Sequence, residues 1–359
     1  MPEPRQHASR PHRVIGWDIG GAHVKACLTE DGAVRDVAQW PCALWQGLHH
    51  LDEALRRARA RWPQAGAEAT RHAATMTGEM VDLFADRREG VMRLAAHLAE
   101  SLGGSLRLYA GAHGWVAASR AAEGWEAIAS ANWRATAQWL ARCLPDAVLV
   151  DIGSTTTDLI PIRGGRVAAA GASDAQRLGT GELVYQGVVR TPLCALARRV
   201  PFDGGPTNVM NELFATTADV YRLTGELDAR HDQHPAADNG AKDATATCRR
   251  LARMIGRDVQ EADAEQWLRL AQAWRGHQLD ELGGQLDRVV RAQALAPAAP
   301  VVGAGCGDFL AAVLAGQHGR AYRRFVDAAV PLCAHADDAT AAWAQVCAPA
   351  VAVALLAAD

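Results

Sequence analysis

From Arg13 onward, short apolar runs alternate with glycine turns. Residues 13–18 read as an apolar strand entering Gly20-Gly21, and residues 24–29 as a second strand. Asp31-Gly32 is a hairpin signal ahead of a third strand at 33–40. Leu44, Leu48, Leu51 and Leu55 share one face, which predicts a helix over 44–62 with its arginines outward. A strand at 70–75 leads into Thr77-Gly78-Glu79-Met80. Helix 91–102, strand 106–110 and helix 132–144 follow, the last ended by Pro145.

The opening pattern then returns. Residues 146–151 form a buried strand, Gly153-Ser154-Thr155-Thr156 a turn, and residues 158–162 the outgoing strand. Gly164-Gly165 makes a hairpin into a third strand at 166–170. The two units start about 130 residues apart, which reads as an internal duplication of a βββα unit whose copies face one another across a cleft. Helices are predicted at 209–223, 264–273 and 279–295. The polar stretch 228–246 is the candidate mobile loop or lid. A last strand at 299–302 enters Gly303-Ala304-Gly305-Cys306-Gly307, with Asp308 placed to cap a helix at 309–314. An apolar helix spans 340–358. The expected layout is a disordered tail at 1–12, a first lobe at 13–145 with the helix at 335–359 packing back on it, and a second lobe at 146–334.

Length changes this picture little: 359 residues suit two domains. A net charge of -3 gives no electrostatic reason for nucleic acid or an anionic membrane as partner. No run of eighteen apolar residues appears, and the N-terminus lacks a signal-peptide pattern, so a cytoplasmic protein is expected. The eight cysteines are scattered, without zinc or redox spacing. Arginine so dominates that lysine stands only at Lys25 and Lys242, where either a compact ammonium is needed or chance has kept it.

Chemistry concentrates in the turns. A glycine turn directly after a strand lets backbone N–H groups converge on an anion. An aspartate at the strand end can hold Mg²⁺, usually through water, and the metal then bridges to phosphate oxygens. Asp18 and Asp151 occupy that position in both copies, with Gly20 and Gly21, then Gly153, Ser154, Thr155 and Thr156, around the anion. Lys25 is placed to clamp a phosphate or is an ordinary strand lysine. His23 is a phosphate donor, a proton carrier or a solvated turn residue. Asp158 is a second metal ligand or a turn cap. Glu79 is a general base, a metal partner or a turn residue. Gly179-Thr180-Gly181-Glu182 reads as a loop entering a helix. Gly303 and Gly305 either cradle phosphate or a flat ring, or permit tight packing. Asp228, His231, Asp232 and His234 form a loose metal-like cluster or a solvated loop.

The succession WDIGGAHVKA, TMTGEMVDLF, VDIGSTTTDLIP and VVGAGCGDFL resembles the actin/sugar-kinase/Hsp70 superfamily. Within it, the succession resembles the hydantoinase/oxoprolinase-like branch encoded with tetrahydromethanopterin-linked one-carbon metabolism. The resemblance implies an α/β, duplicated ribonuclease-H-like, two-lobed fold with an interlobe cleft. It also implies an enzyme that works on small molecules, with room for a homo-oligomer. Archaeal members of that branch join an aminomethylfuran-methanol diphosphate to the phenol of γ-glutamyltyramine, making the aryl ether of methanofuran and releasing pyrophosphate. Carried over, Asp18 and Asp151 would organise Mg²⁺, and Lys25 would clamp the diphosphate. Glu79 or Lys242 would take the phenol proton. An ATP-dependent small-molecule kinase, or an ATP-driven hydrolase of the oxoprolinase kind, is the alternative, and a non-catalytic nucleotide switch is a third. Ala22 and His23 stand where such kinases carry a hydroxyl, and the third motif is short and contains Cys306. Both departures suit a diphosphate without a nucleoside.

Overall fold

Arg13–Ile19 (β1) is buried at every position but its first, because both faces of the sheet it joins are covered. The computed structural model describes residues 12–67, 69–103 and 105–359. The tail expected at 1–12 therefore lies, His12 excepted, outside the described residues. The chain divides into two compact units, Met1–Trp139 with Val330–Asp359, and Leu140–Ala329.

In the first unit, β1 is joined by β2 (His23–Glu30), β3 (Ala33–Pro41), β4 (Thr70–Met76), β5 (Leu106–Tyr109) and β6 (Trp115–Ala117). The strand order is β3-β2-β1-β4-β5-β6. β1, β2 and β3 are antiparallel neighbours, whereas β1–β4 and β4–β5 are parallel. Asp31 and Gly32 both take positive φ, 50° and 79°, the hairpin geometry their dipeptide favours. Alternation divides β1 between two cores. Ile15, Trp17 and Ile19 pack toward α1 (His49–Arg61) and α2 (Arg87–Leu102). Val14 packs with Ala131 and Ala135, and with Ala352 and Val353 of the last helix. Two short helices, α3 (Trp125–Ile128) and α4 (Asn132–Cys143), follow β6.

The final helix expected at 340–358 is two, α12 (Asp338–Val346) and α13 (Ala348–Ala358), bent by 98°. Pro349 has no N–H to give a continuous helix, and it sits in the first turn of α13 where none is needed. α13 reaches the sheet over Gly16, where a Cβ would fall 2.2 Å from the Ala350 carbonyl. The helix expected from 44 starts only at His49. Leu44–Gln46 is a single 3-10 turn, and Gly47 at φ 135° separates the two.

The second unit repeats the plan. β7 (Ala147–Ile152), β8 (Thr157–Arg163) and β9 (Arg166–Val167) are antiparallel in succession. β10 (Leu183–Val184) flanks β8, and β13 (Val301–Ala304) and β14 (Tyr322–Arg324) extend the sheet in parallel beside β7. Between β10 and β13 lie a two-stranded ribbon, β11 (Arg199–Phe202) and β12 (Gly205–Asn208), and a helical insertion. The helices of this unit are α5 (Asp174–Thr180), α6 (Leu193–Leu196), α7 (Thr217–Leu223), α8 (Ala244–Met254), α9 (Ala264–Ala292), α10 (Asp308–Gln317) and α11 (Phe325–Ala329). Three antiparallel strands followed by parallel ones, twice over, make this the duplicated ribonuclease-H-like α/β fold expected.

Four local expectations are corrected here. Helices 264–273 and 279–295 are one, α9. Gly276 costs only about 1 kcal/mol of helix propensity, against which Arg275 forks onto Glu226 at 2.8–3.0 Å and Gln278 is bonded on both sides. Helix 209–223 shrinks to α7, because Thr216 and Asp219 form a capping box and the Met210 N–H bonds instead to the Met254 carbonyl. Gly179–Glu182 closes a helix rather than opening one. Ser173 and Gln176 box the start of α5, and Gly181 ends it at φ 84°. Asp308 does not cap α10; its carboxylate accepts from the Tyr322 hydroxyl at 3.2 Å. Among the described residues, no single helix is long and apolar enough to cross a membrane.

Candidate functional site

The first turn is built from backbone alone. The Gly20 N–H closes it onto the His23 carbonyl at 2.9 Å, and a Cβ on Gly20 would stand 2.9 Å from that same oxygen. Gly21 has no room either, since a Cβ there would meet Val81 at 2.7 Å. The N–H of Leu44 bonds to the Gly21 carbonyl at 3.1 Å, and that of Cys42 to the Ala22 carbonyl at 2.9 Å. Asp18 and Lys25 are register partners across β1 and β2. Their charges lie 3.7 Å apart, with the carboxylate buried and the ammonium half-buried. His23 is buried too.

The turn after β4 is pressed against the first turn. The Thr77 N–H reaches the Ile19 carbonyl at 2.9 Å, and Gly78 abuts the same carbonyl. Glu79 follows, 1% exposed, and its Oε1 accepts from Ser130 Oγ at 2.8 Å. Two features fix this carboxylate. Gly90 lets α2 lie directly on the Glu79 backbone, with a virtual Cβ only 2.3 Å from its carbonyl. Ser130 holds a left-handed φ of 50°, which a serine adopts only under local constraint. Asp18, Gly20, Gly21, His23, Lys25 and Glu79 thus belong to one edge of the first unit.

The second turn has the same closure and different dressing. The Gly153 N–H bonds to the Thr156 carbonyl at 2.8 Å, and Gly153, Ser154, Thr155 and Thr156 are half-buried. Ser154 Oγ and Thr155 Oγ1 lie 3.4 Å apart. Across the register from Asp151 stands not a lysine but Asp158. The side chain of Asp158 bonds to Arg177, which is 1% exposed and also lies 3.9 Å from Asp174. Glu182 accepts the N–H groups of Ala170 and Gly171 at 2.6 and 2.8 Å, so its carboxylate braces the backbone. Gly305, at φ 84°, approaches so closely that a Cβ would lie 2.6 Å from Asp151 Oδ1. Gly303 is enclosed by Tyr322 and Ala311 and serves packing.

A strap that sequence reading missed secures this second turn. The N–H groups of Val188, Val189 and Arg190 bond to the Gly153 carbonyl at 3.0 Å and to the Ser154 carbonyl at 3.1 and 2.8 Å. Gly187 has no room for a side chain, since a Cβ would lie 2.4 Å from Ser154 C and Thr155 N. Its carbonyl is held by Gln278 Nε2 at 3.1 Å, and Gln278 is held in turn by the buried Tyr221 hydroxyl at 2.7 Å. Burial pushes the Tyr221 phenol well above its ordinary pKa, so it remains a donor. Arg190 follows the strap, and its Nη1 donates to Thr155 Oγ1 at 3.4 Å. No motif marks these residues, because the contacts span dozens of positions in sequence.

Lys242 lies apart in the sequence, on the loop before α8. Its ammonium is 2.9 Å from Asp232 Oδ1 and 2.7 Å from the Asp232 carbonyl. The stretch 228–246 is tied further: Arg222 pairs with Asp232 at 2.9 Å, Arg250 with Asp238 at 3.0 Å, and Asp228 holds Arg230. Among the described residues, no group of three or more His, Cys, Asp or Glu side chains forms a ready metal cage.

Comparison with known proteins adds three findings. The family model described as Hydantoinase/oxoprolinase matches residues 71–329. A protein of Methanocaldococcus jannaschii is 27% identical over 280 residues, 77% of this chain and 82% of its own length. It is named (4-{4-[2-(gamma-L-glutamylamino)ethyl]phenoxymethyl}furan-2-yl)methanamine synthase. A Methanococcus vannielii protein of the same name is 33% identical over 126 residues, 35% of this chain and 56% of its own length. In fold, the chain is similar to the nucleotide-free structure of acetone carboxylase. The TM-score is 0.52 at 10% identity, over 87% of this chain and 68% of that one.

Proposed function

Because this chain belongs to the hydantoinase/oxoprolinase family, we propose that it is a transferase of methanofuran-type cofactor biosynthesis. It joins an aminomethylfuran-methanol diphosphate to the phenol of γ-glutamyltyramine, or of a tyrosine analogue, and releases pyrophosphate. One observation carries this reading. The relative that aligns with 77% of the chain is named for a product whose central bond is a phenoxymethyl–furan ether.

The chemistry asks for three things. The bond between the exocyclic carbon and the diphosphate breaks, the bond from that carbon to the phenol oxygen forms, and the phenol proton leaves. An electron-rich furan stabilises positive charge at the carbon, so the chief demand is on the departing diphosphate. Gly20 and Gly153 close the two turns with their own N–H groups; Gly21 and His23 of the first, and Ser154, Thr155 and Thr156 of the second, supply donors to it, and Lys25 supplies a cation. Gly305 keeps the flank of the Asp151 carboxylate clear, whereas the enclosed Gly303 acts only through packing.

The cofactor proposed is Mg²⁺, for which Asp18 and Asp151 offer hard carboxylate oxygens. Bound there, the ion would neutralise charge on the leaving group. The phenol proton goes to Glu79, which a serine hydroxyl and a tightly packed backbone hold in one orientation. Lys242, held by Asp232, is the other candidate for this role.

The test is pyrophosphate release from a furfuryl-type diphosphate and a tyramine-type phenol, with Mg²⁺ and without ATP. One pyrophosphate per ether is expected. Turnover that needs ATP and leaves the diphosphate intact would instead identify a kinase or an ATP-driven hydrolase.

A further inference from the structure

We infer that Arg190 is a diphosphate-binding residue of the second turn, its guanidinium reaching the leaving group beside Ser154 and Thr155. The inference rests on the transferase reading and extends it by naming a residue and the anion it grips.

Three observations converge. First, the strap that carries Arg190 is seated by three backbone bonds on the turn, with Gly187 in contact closer than any side chain permits. The position of the Arg190 Cα is therefore set by the turn itself. Second, its Nη1 is within 3.4 Å of Thr155 Oγ1, so the fork and the turn hydroxyls lie on the same side. Third, Arg190 is exposed, so an anion arriving at the turn can reach its guanidinium from solvent. Arginine keeps its charge at any physiological pH.

A guanidinium has five donors in a flat fork and can bond two phosphate oxygens at once, which neither a hydroxyl nor a lysine does. The charge that grows on the diphosphate as its bond to carbon breaks is the charge this fork meets. The ligand class is a diphosphate group, which two sources share: the furfuryl diphosphate, or the β,γ-phosphates of ATP.

Titration of the full-length protein with pyrophosphate, inorganic phosphate and ATP, each with Mg²⁺, separates the sources. The readouts are calorimetry and the melting temperature. Wild type is expected to bind pyrophosphate more tightly than either of the others. Arg190→Ala should lower that affinity by roughly ten- to a hundredfold, the range for one charged hydrogen-bonding partner. Arg190→Lys should fall between the two, because it keeps the charge and loses the fork. Both variants should keep the unliganded melting temperature, since the backbone and not the side chain seats the strap. Under turnover, Arg190→Lys should raise KM for the diphosphate and lower kcat, because the contact strengthens as charge develops. If wild type releases pyrophosphate from substrate while both variants bind it as wild type does, the role of Arg190 falls and the transferase reading stands. If wild type neither binds nor releases pyrophosphate, both fall.

Discussion

The turns after β1 and β7 share one backbone plan: a strand ending in Asp-Ile-Gly, a four-residue closure onto a carbonyl, and an outgoing antiparallel strand. They differ in what the sheet register sets opposite the aspartate. Asp18 faces Lys25, a cation 3.7 Å away. Asp151 faces Asp158, whose charge is taken up by Arg177. The first turn carries no hydroxyl and relies on backbone and an ammonium. The second carries a serine and threonines, and an arginine strap lies over it. The backbone closure is the same in both copies, whereas the side chains around it differ.

Four experiments would break or sharpen that contrast. The largest effect is expected from Asp151→Asn, which removes the carboxylate from the hydroxyl-bearing turn and keeps its shape. Mg²⁺-dependent turnover should fall by about a hundredfold or more, with an unchanged circular dichroism spectrum; near-normal activity would remove the second turn from the reaction. Next comes Arg177→Met, which strands Asp158 and Asp174 as buried anions. A loss of about 3–5 kcal/mol is expected by denaturant unfolding. Asp158→Asn added to it should recover part of that loss, and no recovery would show that the two residues do not act as a pair.

A pH effect should single out the first unit. Burial, opposed by the Ala65 carbonyl and helped by the Arg59 charge, pushes His72 down from 6.5 to about 4. A base with a depressed folded pKa binds its proton more readily when unfolded. Its contribution is therefore complete above pH 6.5 and is lost progressively as pH falls toward 4, by roughly 3 kcal/mol in all. His72→Gln should flatten the stability profile across that window, measured by chemical unfolding at stepped pH. The smallest effect belongs to Lys25→Ala, expected to weaken diphosphate affinity about tenfold. Unchanged affinity would make Lys25 an ordinary strand lysine and leave the first turn with backbone donors only.

Much of this was legible in the sequence wherever the signal is local. An apolar strand, a glycine turn and a second strand leave their marks within a dozen residues, so both aspartate turns, the Asp31-Gly32 hairpin and the fold class could be read directly. Ser173-Asp174-Ala175-Gln176 was also legible as a helix start, and overlooking it made Gly179–Glu182 look like a beginning when it is an end. Other features were not legible, because distant partners decide them. Gly276 looks like a break until Gln278 is seen tied to Tyr221 and Gly187. Arg190 is one arginine among many until the strap seats it on Ser154. Glu79 could be singled out by its place after a strand, but nothing nearby in the sequence points to Ser130 as the group that orients it.

Gly16 has a consequence in time as well as in space. The helix that rests on it, α13, is translated after more than 300 further residues; at about 5–20 residues per second, that is a delay of tens of seconds. Throughout that interval this side of the nascent sheet has Ala131 and Ala135 beside Val14 but lacks the cover of α13, while the contiguous unit Leu140–Ala329 emerges whole and can fold first. A growing chain whose first sheet stays partly uncovered until α13 arrives exposes apolar surface to aggregation for that time. Shortening α13 should therefore reduce the yield of soluble protein far more than its small, exclusively apolar side chains suggest.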